Sequence, residues 1–153
     1  MRRAILLAAA LALPISGASV ALASGGQAWA GAKITCTAIT GTATGTVTLS
    51  GCTGGNTGGA SNPVPTSTLA TGGTIPWVSG SSTTFGAPTL TATSAKKCPG
   101  YVKGGSNNPS AEKFKGAVTG DSGDGLKIPG KYQGAVCIDS AGNITALKPT
   151  TAT

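Results

Sequence analysis

Beyond the first thirty residues, the groups able to do chemistry are four cysteines, four carboxylates and nine lysines, and histidine is absent. Without histidine, neither a Ser-His-Asp nor a Cys-His catalytic arrangement can be assembled. Zinc sites that use histidine are excluded as well. Cys36, Cys52, Cys98 and Cys137 lack the paired C-x-x-C spacing of an all-cysteine zinc site. No metal and no cofactor is therefore expected. The carboxylates are Glu112, Asp121, Asp124 and Asp139. Asp121 and Asp139 occupy equivalent places in an internal echo described below, which would put both at one end of a sheet. Paired, they could serve a small hydrolase as acid and base. The competing reading is that Asp opens turns by accepting from backbone two residues on, and Asp121-Ser122-Gly123-Asp124-Gly125 is strong turn chemistry. The same segment resembles a calcium loop only faintly, because the closing bidentate Glu is missing. A Ser/Lys nucleophile–base pair is formally available, but no spacing selects its members.

The formal net charge is +7, and two of those charges are Arg2 and Arg3. The remaining chain sets nine lysines against four acids and has no arginine. Arginine is the preferred group for bidentate phosphate and base contacts. Trp77, Phe85, Tyr101, Phe114 and Tyr132 are too few to serve both a core and a base-stacking platform. Nucleic acid is therefore not an expected partner. The densest basic segment is Lys96-Lys97-Cys98-Pro99-Gly100-Tyr101-Val102-Lys103. Lys96, Lys97 and Lys103 form the candidate patch for an anionic envelope polymer or a protein partner. Trp77, between Pro76 and Val78, reads as packing rather than as a ligand-stacking residue.

These groups sit in a chain that opens like an export signal. Met1-Arg2-Arg3 is a positive start, Ala4 to Leu13 is apolar, and Ala28-Trp29-Ala30 has the small-x-small pattern of a processing site. Residues 1–30 read as a signal peptide, with cleavage after residue 23 as the alternative. Residues 31–153 then form one exported domain, extracellular or in the cell envelope, with no transmembrane span after signal removal. The four cysteines all follow the leader, and an even number in a small exported domain reads as two disulfides. Three pairings are possible. Cys36–Cys52 and Cys98–Cys137 are favoured because each joins segments expected to be neighbours. On a loop-entropy model they contribute about 3 and about 4 kcal/mol.

The mature region shows no helical spacing of apolar residues. It has short Thr/Val/Ile runs broken by Gly, Asn and Pro, which is the signature of strands and turns. Ile34-Thr35-Cys36-Thr37-Ala38 and Thr46-Val47-Thr48-Leu49-Ser50 alternate as a hairpin. Cys52 falls on the wrong parity relative to Val47 and Leu49, which a bulge at Gly51 would correct. Thr53 to Pro65 reads as a surface loop. Pro76 places its strand at an edge. Lys113-Phe114-Lys115-Gly116-Ala117-Val118-Thr119-Gly120-Asp121-Ser122 is echoed eighteen residues later by Lys131 to Ser140, with six of ten positions identical. Two copies are too few for a repeat array, so two similar antiparallel strands are the plainer explanation. Seven or eight strands with such turns predict an all-β fold, a single antiparallel β-sandwich or small barrel after an N-terminal signal helix.

Three stretches carry a resemblance: Gly45 to Gly54, Ala70 to Trp77, and Ala135 to Ile144. They resemble a group of small secreted actinobacterial proteins that carry no assigned activity. The resemblance implies an envelope or extracellular location and brings no catalytic residues. The expected function is thus a non-catalytic β-domain that binds a partner or an anionic polymer through its loops. A small hydrolase using carboxylates or a Ser/Lys pair is the alternative.

Overall fold

The computed structural model describes residues 32–153, so the leader and its processing site lie outside the described residues. Nine strands form one antiparallel sheet: β1 (Ile34–Thr42), β2 (Thr46–Thr53), β3 (Val64–Pro65), β4 (Gly73–Pro76), β5 (Ser82–Phe85), β6 (Thr89–Ala92), β7 (Ser110–Ser122), β8 (Gly130–Ile138) and β9 (Asn143–Ala152). The order is β3-β2-β1-β9-β8-β7-β5-β4, and β6 pairs with β7 beyond the end of β5. This is the small-barrel form of the expected all-β fold. The sheet curls until β4 approaches β2, and residues 59–62 fill the remaining gap. On one side Ser61 N–H donates to Leu49 O and Cys52 N–H to Gly59 O. On the other, Asn62 N–H donates to Pro76 O and Val78 N–H to Ala60 O. Thr53 to Pro65 is therefore more than a surface loop. Its Ser61 and Thr57 are buried, and Ser61 Oγ accepts from Leu49 N–H at 2.9 Å. Polar residues can seal the barrel because the backbone supplies the bonds and both buried hydroxyls have partners, Thr57 Oγ1 accepting from Gly59 N–H.

The interior is apolar. Ile34, Ile39, Val47, Leu49, Ile75, Trp77, Phe85, Phe114, Val118, Tyr132 and Ile144 are buried in one cluster. Cys36 faces Cys52 directly across β1 and β2, and the two are bonded. The expected bulge at Gly51 is absent from this pair of strands, whose register is continuous from Thr35–Thr53 to Gly41–Val47. Both strands switch faces together instead. Gly51 turns with φ of +60°, a conformation that costs glycine little. The register slip falls on the other side of β1, against β9.

A short helix, α1 (Thr66–Thr71), was not legible as helix in the sequence; it packs Leu69 against the core. On the outer face of β7, β8 and β9 lies a second small core. There Cys98, bonded to Cys137, packs with Ala111 and Leu147 and seats the 93–109 segment on the sheet.

The echo has a packing cause. Phe114 pairs with Gly134 and Gly116 with Tyr132, so each ring lies across the glycine opposite. A Cβ at Gly134 would stand 2.4 Å from Phe114 Cζ, and one at Gly116 would stand 2.4 Å from Tyr132 Cε1. The two rings are 6.1 Å apart, and Tyr132 also packs against Phe85 at 4.6 Å with the rings tilted by 59°.

Candidate functional site

Strand alternation sends Lys113 and Lys115 to the outer face of β7, while Phe114 and Val118 go inward. Cross-strand register then assembles two outward rows. One is Thr91, Lys113, Ala135, Lys148; the other is Thr89, Lys115, Gln133, Thr151. A groove of about 550 Å³ opens along them, lined by Lys113, Lys115, Lys148, Gln133, Thr89 and Thr91, with Phe114, Gly134, Ala135 and Pro149 beneath. The small Ala135, between two lysines, leaves the floor low. Register slips in the β8–β9 pairing flank it on both sides. Such irregularities bend a strand, which deepens an outer surface that an even barrel would present as convex.

Strand spacing puts the Lys113 and Lys148 backbones about 10 Å apart, and Lys113 and Lys115 about 7 Å apart. These backbone distances are close to a physiological screening length, so the three positive charges contribute to one field. No acidic residue lines the groove. Glu112, next to Lys113, faces the other side of the sheet, where it joins Leu69, Leu90, Val136 and Ile144 around a cavity of about 80 Å³.

None of the candidate patch residues Lys96, Lys97 and Lys103 lines this groove. Lys96 and Lys97 are exposed on a 3-10 turn, Ala95–Lys97, immediately before Cys98. The Cys98–Cys137 bond fastens that turn two residues along β8 from Ala135. Lys103 is exposed on a separate turn, where Gly105 N–H donates to Val102 O and Asn108 Oδ1 accepts from Val102 N–H. The sequence reading singled out these three lysines and missed Lys113, Lys115 and Lys148. The overlooked signal was the i, i+2 pair Lys113/Lys115 on a strand, with a further lysine on the strand that follows the hairpin.

Asp121 and Asp139 do not meet. Ser110 pairs with Ile138, so Asp139 lies beside the start of β7, whereas Asp121 lies near its far end. Eleven residues of strand separate the two positions by roughly 30 Å or more. Equivalent positions in two antiparallel strands point to opposite ends, so the acid–base pair offered as the alternative does not form. Each instead organises a turn. Asp139 accepts from Ala141 N–H, Asn143 N–H and Asn143 Nδ2. Those bonds, the Asn143 side chain first, lower its pKa. Asp121 Oδ2 accepts from Gly125 N–H at 2.8 Å, and its Oδ1 is buried with no partner among the described residues. Burial raises its pKa, and the neighbouring Asp124 adds to the rise.

Asp124 is fully buried. Its Oδ2 accepts from Thr83 Oγ1 at 2.8 Å, and Thr83 Oγ1 accepts from Trp77 Nε1 at 2.9 Å. Its Oδ1 lies 2.6 Å from Ser81 Oγ, which also reaches Asn56 O. This chain ties the seam loop, the β4–β5 hairpin and the turn after β7 together. Trp77 is thereby a core residue.

Among the described residues no helix is long and apolar enough to cross a membrane. Comparison with protein-family models, with curated proteins and with solved structures finds no match.

Proposed function

We propose that this chain is an exported, non-catalytic binding domain that holds an anionic partner in the groove of Lys113, Lys115 and Lys148. The groove is the observation that carries the reading. Three lysines converge on one concave surface, with amide and hydroxyl groups between them and no acid among the lining residues. A concave site with a few convergent polar groups is the default place for a ligand. Export is supported by the leader and by two disulfides, which persist in oxidising compartments. Lys96 and Lys97, on the turn fastened to β8, extend the positive field that steers such a partner in.

Salt elution from phosphocellulose tests the assignment. Lys113→Gln/Lys115→Gln/Lys148→Gln and Lys96→Gln/Lys97→Gln/Lys103→Gln remove the same charge from different places. The first variant is expected to elute at clearly lower salt than the second. Equal elution of the two would show that net charge alone holds the protein, and the groove assignment would fall.

A further inference from the structure

β6 belongs to the sheet on one side only. Its four residues are all exposed, and among the described residues it pairs with β7 alone. Thr93 N–H donates to Ala111 O at 2.8 Å, so Thr93 and Ala111 form a hydrogen-bonded pair. Antiparallel pairs alternate between bonded and non-bonded. Thr91 and Thr89 therefore bond to β7, whereas the N–H and C=O of Leu90 and Ala92 point away from it. That leaves two donors and two acceptors along an open edge, which is a template for another strand.

The two faces of this edge differ in chemistry. Thr89 and Thr91 lie on the outer face with Lys113 and Lys115, in the lysine groove. Leu90, 47% exposed, lies on the inner face over the cavity of Leu69, Phe114, Val136, Ile138 and Ile144. A strand laid against β6 sends successive side chains alternately to these two faces. The outer set meets ammonium groups, and the inner set meets an apolar cavity with Glu112 at its wall, where an acid would be repelled.

We propose that the anionic partner is an extended peptide in which acidic and apolar residues alternate, bound by strand addition to the Leu90–Ala92 edge. This rests on the groove reading above and names its ligand. Main-chain bonds supply affinity in such complexes, and alternate side chains supply specificity.

The probes are an octapeptide of alternating Glu and Val and a second of the same composition with the four Glu first. Both are titrated into the disulfide-bonded protein. The alternating peptide is expected to bind about tenfold tighter or better, because only it sets its acids over the lysines and its valines over the cavity in one register. The Leu90 and Ala92 amides are expected to gain hydrogen-exchange protection when it binds. Ala92→Pro removes an outward N–H without touching the β7 ladder. It should abolish the preference between peptides while leaving phosphocellulose retention at the wild-type level. Equal affinity for both peptides, or unprotected Leu90 and Ala92 amides in the saturated complex, overturns strand addition and leaves the groove standing. Phosphocellulose retention indifferent to the groove lysines overturns the groove instead.

Discussion

Replacing Asp124 tests whether the barrel seam depends on its buried polar chain. In Asp124→Ala, Ser81 and Thr83 lose the carboxyl between them, and both hydroxyls lie in a buried environment. Ser81 can still give its proton to Asn56 O, but the Thr83 hydroxyl keeps only the Trp77 N–H it accepts and loses the acceptor for its own proton. One buried polar group left without a partner costs about 1–3 kcal/mol. That is a large share of the roughly 5–15 kcal/mol typical of a whole domain. Asp124→Asn should behave differently. The Ser81 hydroxyl has one proton and three oxygens in reach, Asp124 Oδ1, Asn56 O and Ser79 Oγ. An Asn amide oriented with its nitrogen toward Ser81 donates to that oxygen and frees the Ser81 proton for Asn56 O. Its carbonyl still accepts from Thr83. The cost should stay below about 1 kcal/mol, within the range of a well-tolerated substitution. Urea denaturation followed by Trp77 fluorescence measures both, with circular dichroism as the second probe. If Asp124→Ala lies within about 1 kcal/mol of wild type, or Asp124→Asn is as damaging as Asp124→Ala, the proton count along this chain is wrong.

Two other perturbations follow from contacts already described. Gly134→Ala forces a methyl to within 2.4 Å of Phe114 Cζ unless the ring moves. It should destabilise by about 1–3 kcal/mol in urea unfolding, the usual range for overpacking, and a wild-type midpoint would refute the ring-over-glycine account. The turn acids predict opposite pH behaviour. Asp121 has a raised pKa in the folded protein, so its contribution is full below its ordinary value near 3.8 and is lost as pH climbs through the raised one. Asp139 has a lowered pKa, so its contribution is present above 3.8 and is lost as pH falls through the lowered one. Relative to wild type, Asp121→Asn should gain stability as pH rises from 3.8 through the raised value. Asp139→Asn should lose stability in the window below, as pH rises from the lowered value to 3.8, and match wild type in stronger acid. Parallel curves for the two variants would show that neither carboxyl titrates as described.

The strands were legible because Val47/Leu49 and Lys113/Phe114/Lys115 alternate with a period of two, and the turns because Gly80 and Asp139 stand where the chain reverses. Less legible was anything that depends on how the sheet closes. Gly59 to Asn62 carry almost no apolar content, yet they form the seam, because main-chain bonds rather than side chains recruit them. The Cys52 parity problem was real, but its solution was a joint change of face by two paired strands, which neither strand's pattern shows alone. The groove was missed because Lys148 joins Lys113 only through the β8–β9 register, and irregular pairing sets that register. Linear density drew attention to Lys96 and Lys97, whereas surface density was greater elsewhere.

The match between β7 and β8 need not record a gene duplication. An antiparallel hairpin has a local two-fold axis through its middle, and any contact made reciprocally about that axis writes the same short word into both strands. Here the word is an aromatic residue followed two places later by glycine, and eighteen is the offset that lets both copies shelter each other. Symmetry of this kind brings corresponding residues together near the axis and drives them apart away from it. Phe114 and Tyr132 are neighbours for the same reason that Asp121 and Asp139 are strangers.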